Sequence, residues 1–137
     1  MSDVQKSPAE TPHEWLRYAE GDLNVAEREM KAEMPVYHLV CFLSQGAAEK
    51  FIKGFLIAQG WELEKIHDIV RLLKTCQPFD TVLARMTTEG AILNQHITAG
   101  RYPGDIGVAA IGKAEADEAL QAARRIRARV LELLKTD

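Results

Sequence analysis

Apolar residues recur along this chain at steps of three and four. Leu16, Ala19, Leu23, Ala26 and Met30 fall on one face of a 3.6-residue period. Ahead of them stand Thr11 as N-cap, Pro12 at the first helical position and Glu14 at the third, a capping box with a helix-starting proline. This predicts a helix over about residues 11–34, ended by Pro35. Pro35 then opens a second helix to about residue 59, with Gly60 as its C-terminal cap. Residues 36–43 are apolar nearly all round, so this helix belongs at the centre of its bundle. A short third helix follows His67 and Asp68, buries Ile69, Leu72, Leu73 and Cys76, and stops at Pro78.

A fourth helix is expected over about residues 79–99, with Phe79, Val82, Met86, Leu93 and Ile97 on one face and Gly90 in register between them. Gly90 and the Thr87–Thr88 pair weaken it, so packing must hold it. Residues 100–112, with four glycines and Pro103, read as a loop. The last helix spans about residues 113–135, with Ala116, Ala119, Ala123, Ile126, Val130 and Leu133 as its stripe. No segment alternates with the period of a half-buried strand. The expectation is all-α: an up-and-down antiparallel four-helix bundle with one additional short helix. A flexible tail over residues 1–10 precedes a single helical domain over residues 11–137.

Composition narrows this picture. At 137 residues, 47% hydrophobic and 27% charged, the chain suits one globular domain able to bury a core without disulfides or a metal. A net charge of −3 argues against a broadly basic polyanion binder but leaves room for a local cationic patch. Cys41 and Cys76 lie in apolar helical patterns and read as buried thiols. Neither belongs to a CxxC or a Cys/His cluster, so no metal or cofactor is expected. The first twelve residues lack the apolar core of a signal peptide, and no apolar run is long enough to span a bilayer. A cytoplasmic protein with no membrane contact is the expectation.

No phosphate-loop, dinucleotide-binding, nucleophile-elbow or HExxH motif is present, and the four histidines fall in different elements. Three polar features stand out. On the second helix, Gln45, Glu49 and Lys53 recur every four residues with Lys50 alongside. They form either a solvated edge with a Glu49–Lys53 pair or a cationic stripe beside a groove. Next come His67 and Asp68 at the start of the short helix. There Asp68 complements the helix dipole, and His67 bonds to backbone or to an acidic neighbour such as Asp22, or touches a ligand. The third is residues 100–105, where Arg101 is able to fork onto a phosphate and Tyr102 to stack on a base, or both latch the bundle. Arg124, Arg125, Arg127 and Arg129 point in different directions around the last helix. Ion pairing, with Glu118 and Glu132 within reach of some, is weighed there against phosphate binding.

Taken in order, these pieces resemble the HEPN domain family (higher eukaryotes and prokaryotes nucleotide-binding), particularly its small stand-alone prokaryotic members of the type associated with a minimal nucleotidyltransferase. The matching residues are Ala19, Asp22, Leu23 and Ala26, then Phe42, Gln45, Ala47, Ala48, Glu49, Lys50 and Lys53. His67, Asp68, Ile69 and Leu72 follow, and finally Arg101, Tyr102 and Pro103. The resemblance spans about residues 15–135. It implies an up-and-down bundle, commonly a homodimer, and a minimal nucleotidyltransferase as partner in a toxin–antitoxin or related pair. Leu120, Leu131 and Leu134 widen the last stripe in a way that suits a dimer.

Many family members are metal-independent RNases that cut with an Arg-x(4–6)-His motif, in which the histidine moves a proton and the cation stabilises the phosphorane. This chain departs from that pattern: no arginine stands five to seven positions before His13, His38, His67 or His96. The expected function is therefore a nucleotide- or RNA-binding module, with Lys50, Lys53 and Arg101 on phosphate, Tyr102 stacking on the ligand and His67 completing the rim. One alternative is a divergent RNase using Arg101 with His67 or His96. The other is a purely structural, antitoxin-like partner protein.

Overall fold

The computed structural model describes residues 7–97 and 111–135. Among these residues six α-helices follow one another: α1 (Pro12–Met30), α2 (Tyr37–Ala58), α3 (Ile69–Thr75), α4 (Thr81–Ala84), α5 (Thr87–Asn94) and α6 (Lys113–Leu133). No strand occurs among the described residues. α1 and α6 both pack against α2, and α5 packs against α6 and α3. The core between them holds Phe51, Ile52, Leu56, Ile126 and Val130, all fully buried.

The termini of α1 and α2 show which local signals act. Thr11 is the N-cap of α1 and Pro12 its first residue, but the capping box does not form. Glu14 pairs instead with Arg17, at 2.8 Å, and the Thr11 hydroxyl donates to the Ser7 carbonyl. Pro8–Glu10 form a 3-10 turn, and Ala9 accepts the Trp15 indole N–H at 2.7 Å, so this part of the expected tail is tied to α1. α1 ends at Met30, four residues before the expected end at Met34. Glu29 then accepts the Val36 N–H at 2.9 Å, and α2 starts at Tyr37 with Val36 as its N-cap. At the far end of α2, Gly60 takes φ +94°. Its N–H reaches Ile57 O and that of Trp61 reaches Leu56 O, the two bonds of a Schellman cap.

The expected fourth helix over residues 79–99 is two shorter ones. Asp80 restarts the chain by accepting the Leu83 N–H at 2.7 Å, α4 closes at Ala84, and α5 begins at Thr87. Phe79 and Val82 consequently sit exposed and not on a buried face, whereas Leu93 is buried and Met86 packs on the core. Gly90 lets α5 approach α3: a Cβ there would lie 2.9 Å from Leu73 Cδ1 and 3.1 Å from Val70 Cγ2. Asn94, the last residue of α5, accepts the Ile69 N–H and donates to Asp68, clamping the start of α3. The expected loop over residues 100–112, with Arg101 and Tyr102, lies outside the described residues up to residue 110.

The arginines of α6 are committed to ion pairs, mostly across helices. Arg124 binds Glu27, Arg127 binds Glu20, Arg125 binds Glu89, and Arg129 binds both Asp80 and Glu132. Ion pairing is thus the outcome, and of the two partners expected only Glu132 takes part in these bonds. Both cysteines are free and buried, and burial pushes each thiol up to about 12. No helix among the described residues is long and apolar enough to cross a membrane.

Candidate functional site

Gln45, Glu49 and Lys53 share one stripe of α2 because residues four apart stack on a helix. The stripe is not a solvated edge. Glu49 is 9% exposed and Lys53 only 3%. Two charges so placed need close partners, since an unpaired buried ion is costly. Lys53 Nζ meets Glu49 Oε2 at 2.8 Å, and Gln45 Nε2 donates to Glu49 Oε1 at 3.1 Å.

The third partner comes from the segment between α2 and α3. His67 Nδ1 lies 3.0 Å from Glu49 Oε1, and Gln45 also donates to the His67 carbonyl at 3.4 Å. Asp68, next in the chain, caps α3 by accepting the Arg71 N–H at 3.1 Å, and this holds the backbone that carries His67. The His67 side chain itself is 66% exposed. The sequence suggested Asp22 as an acidic partner; the partner is Glu49.

Burial raises the proton affinity of Glu49, but hydrogen bonds from Lys53, His67 and Gln45 together with the Lys53 charge outweigh it, so its carboxyl stays below its ordinary value. Glu49 is therefore an acceptor at neutral pH. An ionised Glu49 accepts a hydrogen bond from the Nδ1–H of the imidazole, which leaves Nε2 as the ring nitrogen not engaged among the described residues.

Asp22 and Lys50 form a second pair, at 2.7 Å, bridging α1 and α2. Gly46 makes room for it: a Cβ there would lie 3.1 Å from Asp22 Oδ2 and 3.4 Å from Lys50 Nζ. Between the two pairs opens a cleft of ≈ 230 Å³, lined by Asp22, Phe42, Gln45, Glu49, Lys50 and His67 with Leu43, Gly46 and Ile97. Each carboxylate facing it is matched by a lysine. The imidazole of His67 lines the same cleft, with Nδ1 engaged by Glu49.

The structure therefore brings together Lys50 and His67, two of the residues the sequence singled out. Lys53 does not line the cleft; it lies behind Glu49 as its counter-ion. His96 is buried elsewhere, and its Nδ1 has no hydrogen-bond partner among the described residues. Burial lowers its pKa, while the charges of Glu118 and Glu115 act the other way. Arg101 and Tyr102 lie outside the described residues. No group of three or more His, Cys, Asp or Glu among the described residues is placed to hold a metal ion.

A second cavity, ≈ 270 Å³ and largely apolar, is lined by Ala9, Glu14, Trp15, Tyr18 and Lys50. Trp15 and Tyr18 belonged to none of the polar features that marked the site in sequence. Their signal was there in the spacing: Trp15, Tyr18 and Asp22 stand at i, i+3 and i+7 on one face of α1.

The chain is similar in structure to an archaeal HEPN homologue solved by crystallography, with a TM-score of 0.73 and 29% sequence identity, over 91% of this chain and 98% of the other. No match emerges among the curated proteins compared with it. The family model of the HEPN domain matches residues 12–133, which takes in all six described α-helices. The chain belongs to the HEPN domain family.

Proposed function

We propose that this chain is a cytoplasmic binding module for a nucleotide or RNA phosphate, with the α1–α2 cleft as its site. The observation that carries this reading is the Glu49–His67 pair beside Lys50. Glu49 holds by Nδ1 a ring that lines the cleft, so Nε2 is the nitrogen left for a ligand, and a protonated ring donates from Nε2 to a phosphate oxygen. Lys50 spends one of its three ammonium donors on Asp22 and keeps two. Arg101 and Tyr102 belong to this reading as residues that match the family pattern.

The reading includes a homodimer and a minimal nucleotidyltransferase partner in a toxin–antitoxin-like pair, as the family resemblance implies. Exposed Phe79 and Val82 are apolar surface that a second copy or a partner would cover. Calorimetric titration with ATP, GTP and short RNA tests the binding. Saturable binding weakened by Lys50→Ala and by His67→Ala supports it; no binding at millimolar ligand contradicts it.

One observation favours a second reading, a divergent metal-independent RNase. A histidine with Nδ1 fixed by a buried carboxylate and Nε2 free has the arrangement of a general base. Incubation with single-stranded RNA in a chelator decides between them. Cleavage lost in His67→Gln favours the enzyme, and intact RNA with retained binding favours the module.

A further inference from the structure

The two cavities meet at one side chain. Lys50 lines both the polar cleft and the apolar one. Trp15, Tyr18 and Asp22 form a single row on α1, facing the Lys50 side of α2, so aromatic surface, ammonium and imidazole follow one another along the α1–α2 seam. Each cavity alone, at ≈ 270 and ≈ 230 Å³, is below the ~300–1,000 Å³ of an ordinary small-molecule site, and Lys50 is the residue that lines both.

We propose that this seam is a two-part site in which a nucleobase lies against Trp15 and Tyr18 while its phosphate reaches Lys50 and His67. The proposal rests on the phosphate reading of the polar cleft and adds the base subsite. The polarity follows from the lining. The aromatic cavity offers ring surface and, besides Lys50, only Glu14, whose two oxygens already accept from Arg17, whereas the polar cleft carries both Lys50 and His67. Trp15 is held in place before binding: its N–H is taken by the Ala9 carbonyl at 2.7 Å, and Lys53 Nζ lies 5.6 Å from the ring centroid. Aromatic stacking beside a cationic groove is one means of holding an unpaired base and its phosphate, and the cation that lines both cavities here is Lys50. The chemistry is that of a base–phosphate unit, and free nucleotide and single-stranded RNA both supply it.

Trp15 and Trp61 are the two tryptophans, so a Trp61→Phe chain leaves Trp15 as sole reporter. This chain is titrated with AMP, with a short oligoadenylate and with inorganic phosphate, by fluorescence and calorimetry in parallel. The expected result is saturable quenching of Trp15 by AMP or oligoadenylate and none by inorganic phosphate. Quenching by AMP assigns the site to free nucleotide, and quenching by oligoadenylate alone assigns it to RNA. Tyr18→Ala, at an exposed position that leaves the core intact, should weaken the quenching ligand about tenfold and leave inorganic phosphate unchanged. If AMP, oligoadenylate and phosphate bind alike with Trp15 emission unaltered, the base subsite is wrong and the phosphate reading stands. If none of the three binds, both fall.

Discussion

His67 Nδ1 lies 3.0 Å from Oε1 and 3.1 Å from Oε2 of Glu49, a residue eighteen positions earlier in the chain. The carboxylate accepts from the ring on one side and from Lys53 on the other, and Gln45 closes the set. A buried ion pair thus orients an exposed imidazole, and the stability of the bundle and the readiness of the site depend on the same side chain.

Glu49→Gln keeps the shape and removes the charge. Lys53, almost without solvent, then has no counter-ion. Breaking a buried pair by losing one partner costs roughly 3–5 kcal/mol. Urea unfolding should show a loss of that order, and a Glu49→Gln/Lys53→Met double variant should recover a large part of it. A double variant as unstable as the single one would contradict the pairing.

Two windows of acid sensitivity follow from the shifted groups. Glu49 has its carboxyl held below the ordinary 4.5, so the unfolded chain binds its proton first as pH falls. Its contribution is complete above about pH 4.5 and is lost below it. His96 has its pKa lowered from 6.5, chiefly by burial, so the unfolded state again binds the proton first and stability declines as pH drops below 6.5. Unfolding free energy measured from pH 8 to pH 3 should flatten in the upper window for His96→Phe and in the lower one for Glu49→Gln.

Two helical glycines should respond in opposite ways to alanine. Gly21 is exposed on α1 with nothing within 4 Å of a new Cβ, so Gly21→Ala should stabilise by about 0.5–1 kcal/mol through helix propensity. At Gly90 the same Cβ would stand 2.9 Å from Leu73 Cδ1 and 3.1 Å from Val70 Cγ2. Overpacking of that kind costs ~1–3 kcal/mol and should outweigh the propensity gain. Thermal melts of the two variants should move in opposite directions.

Asp80 caps α4 and binds Arg129 at 2.6 Å, so Asp80→Ala should cost about 1–2 kcal/mol. Arg125→Ala, which removes a surface pair with Glu89, should change stability by less than about 1 kcal/mol. Chemical denaturation of both variants separates a cap joined to an ion pair from a pair alone.

The long helices were legible because their burial repeats locally. Ala19, Leu23 and Ala26 on α1, and Ala116, Ala119, Ala123, Ile126 and Val130 on α6, are buried as their spacing predicts. α2 is the central helix, as expected, but its most buried stretch is residues 44–56 and not its apolar start, where Val36 is exposed. The start of α4 at Asp80 and its break from α5 at Arg85 and Met86 were not legible from spacing, because Phe79, Val82 and Met86 all fit one helical face. At the site, the row of Gln45, Glu49 and Lys53 could be read from its interval of four. Its burial could not, since the neighbours that cover it come from α1 and from residues 61–68, which have no periodicity of their own. Matching Glu49 to His67 is a tertiary fact, and so is the withdrawal of Lys53 from the cleft.

The central claim is that His67, held by Glu49, meets a phosphate beside Lys50. The direct measurement is the ¹H–¹⁵N spectrum of the histidine side chains during a titration with AMP and with a short RNA. The account predicts that the His67 Nε2 resonance moves saturably with one of them, that His13 and His38 stay in place, and that Lys50→Ala abolishes the shift. An Nε2 resonance unmoved at millimolar AMP and saturating RNA would contradict it.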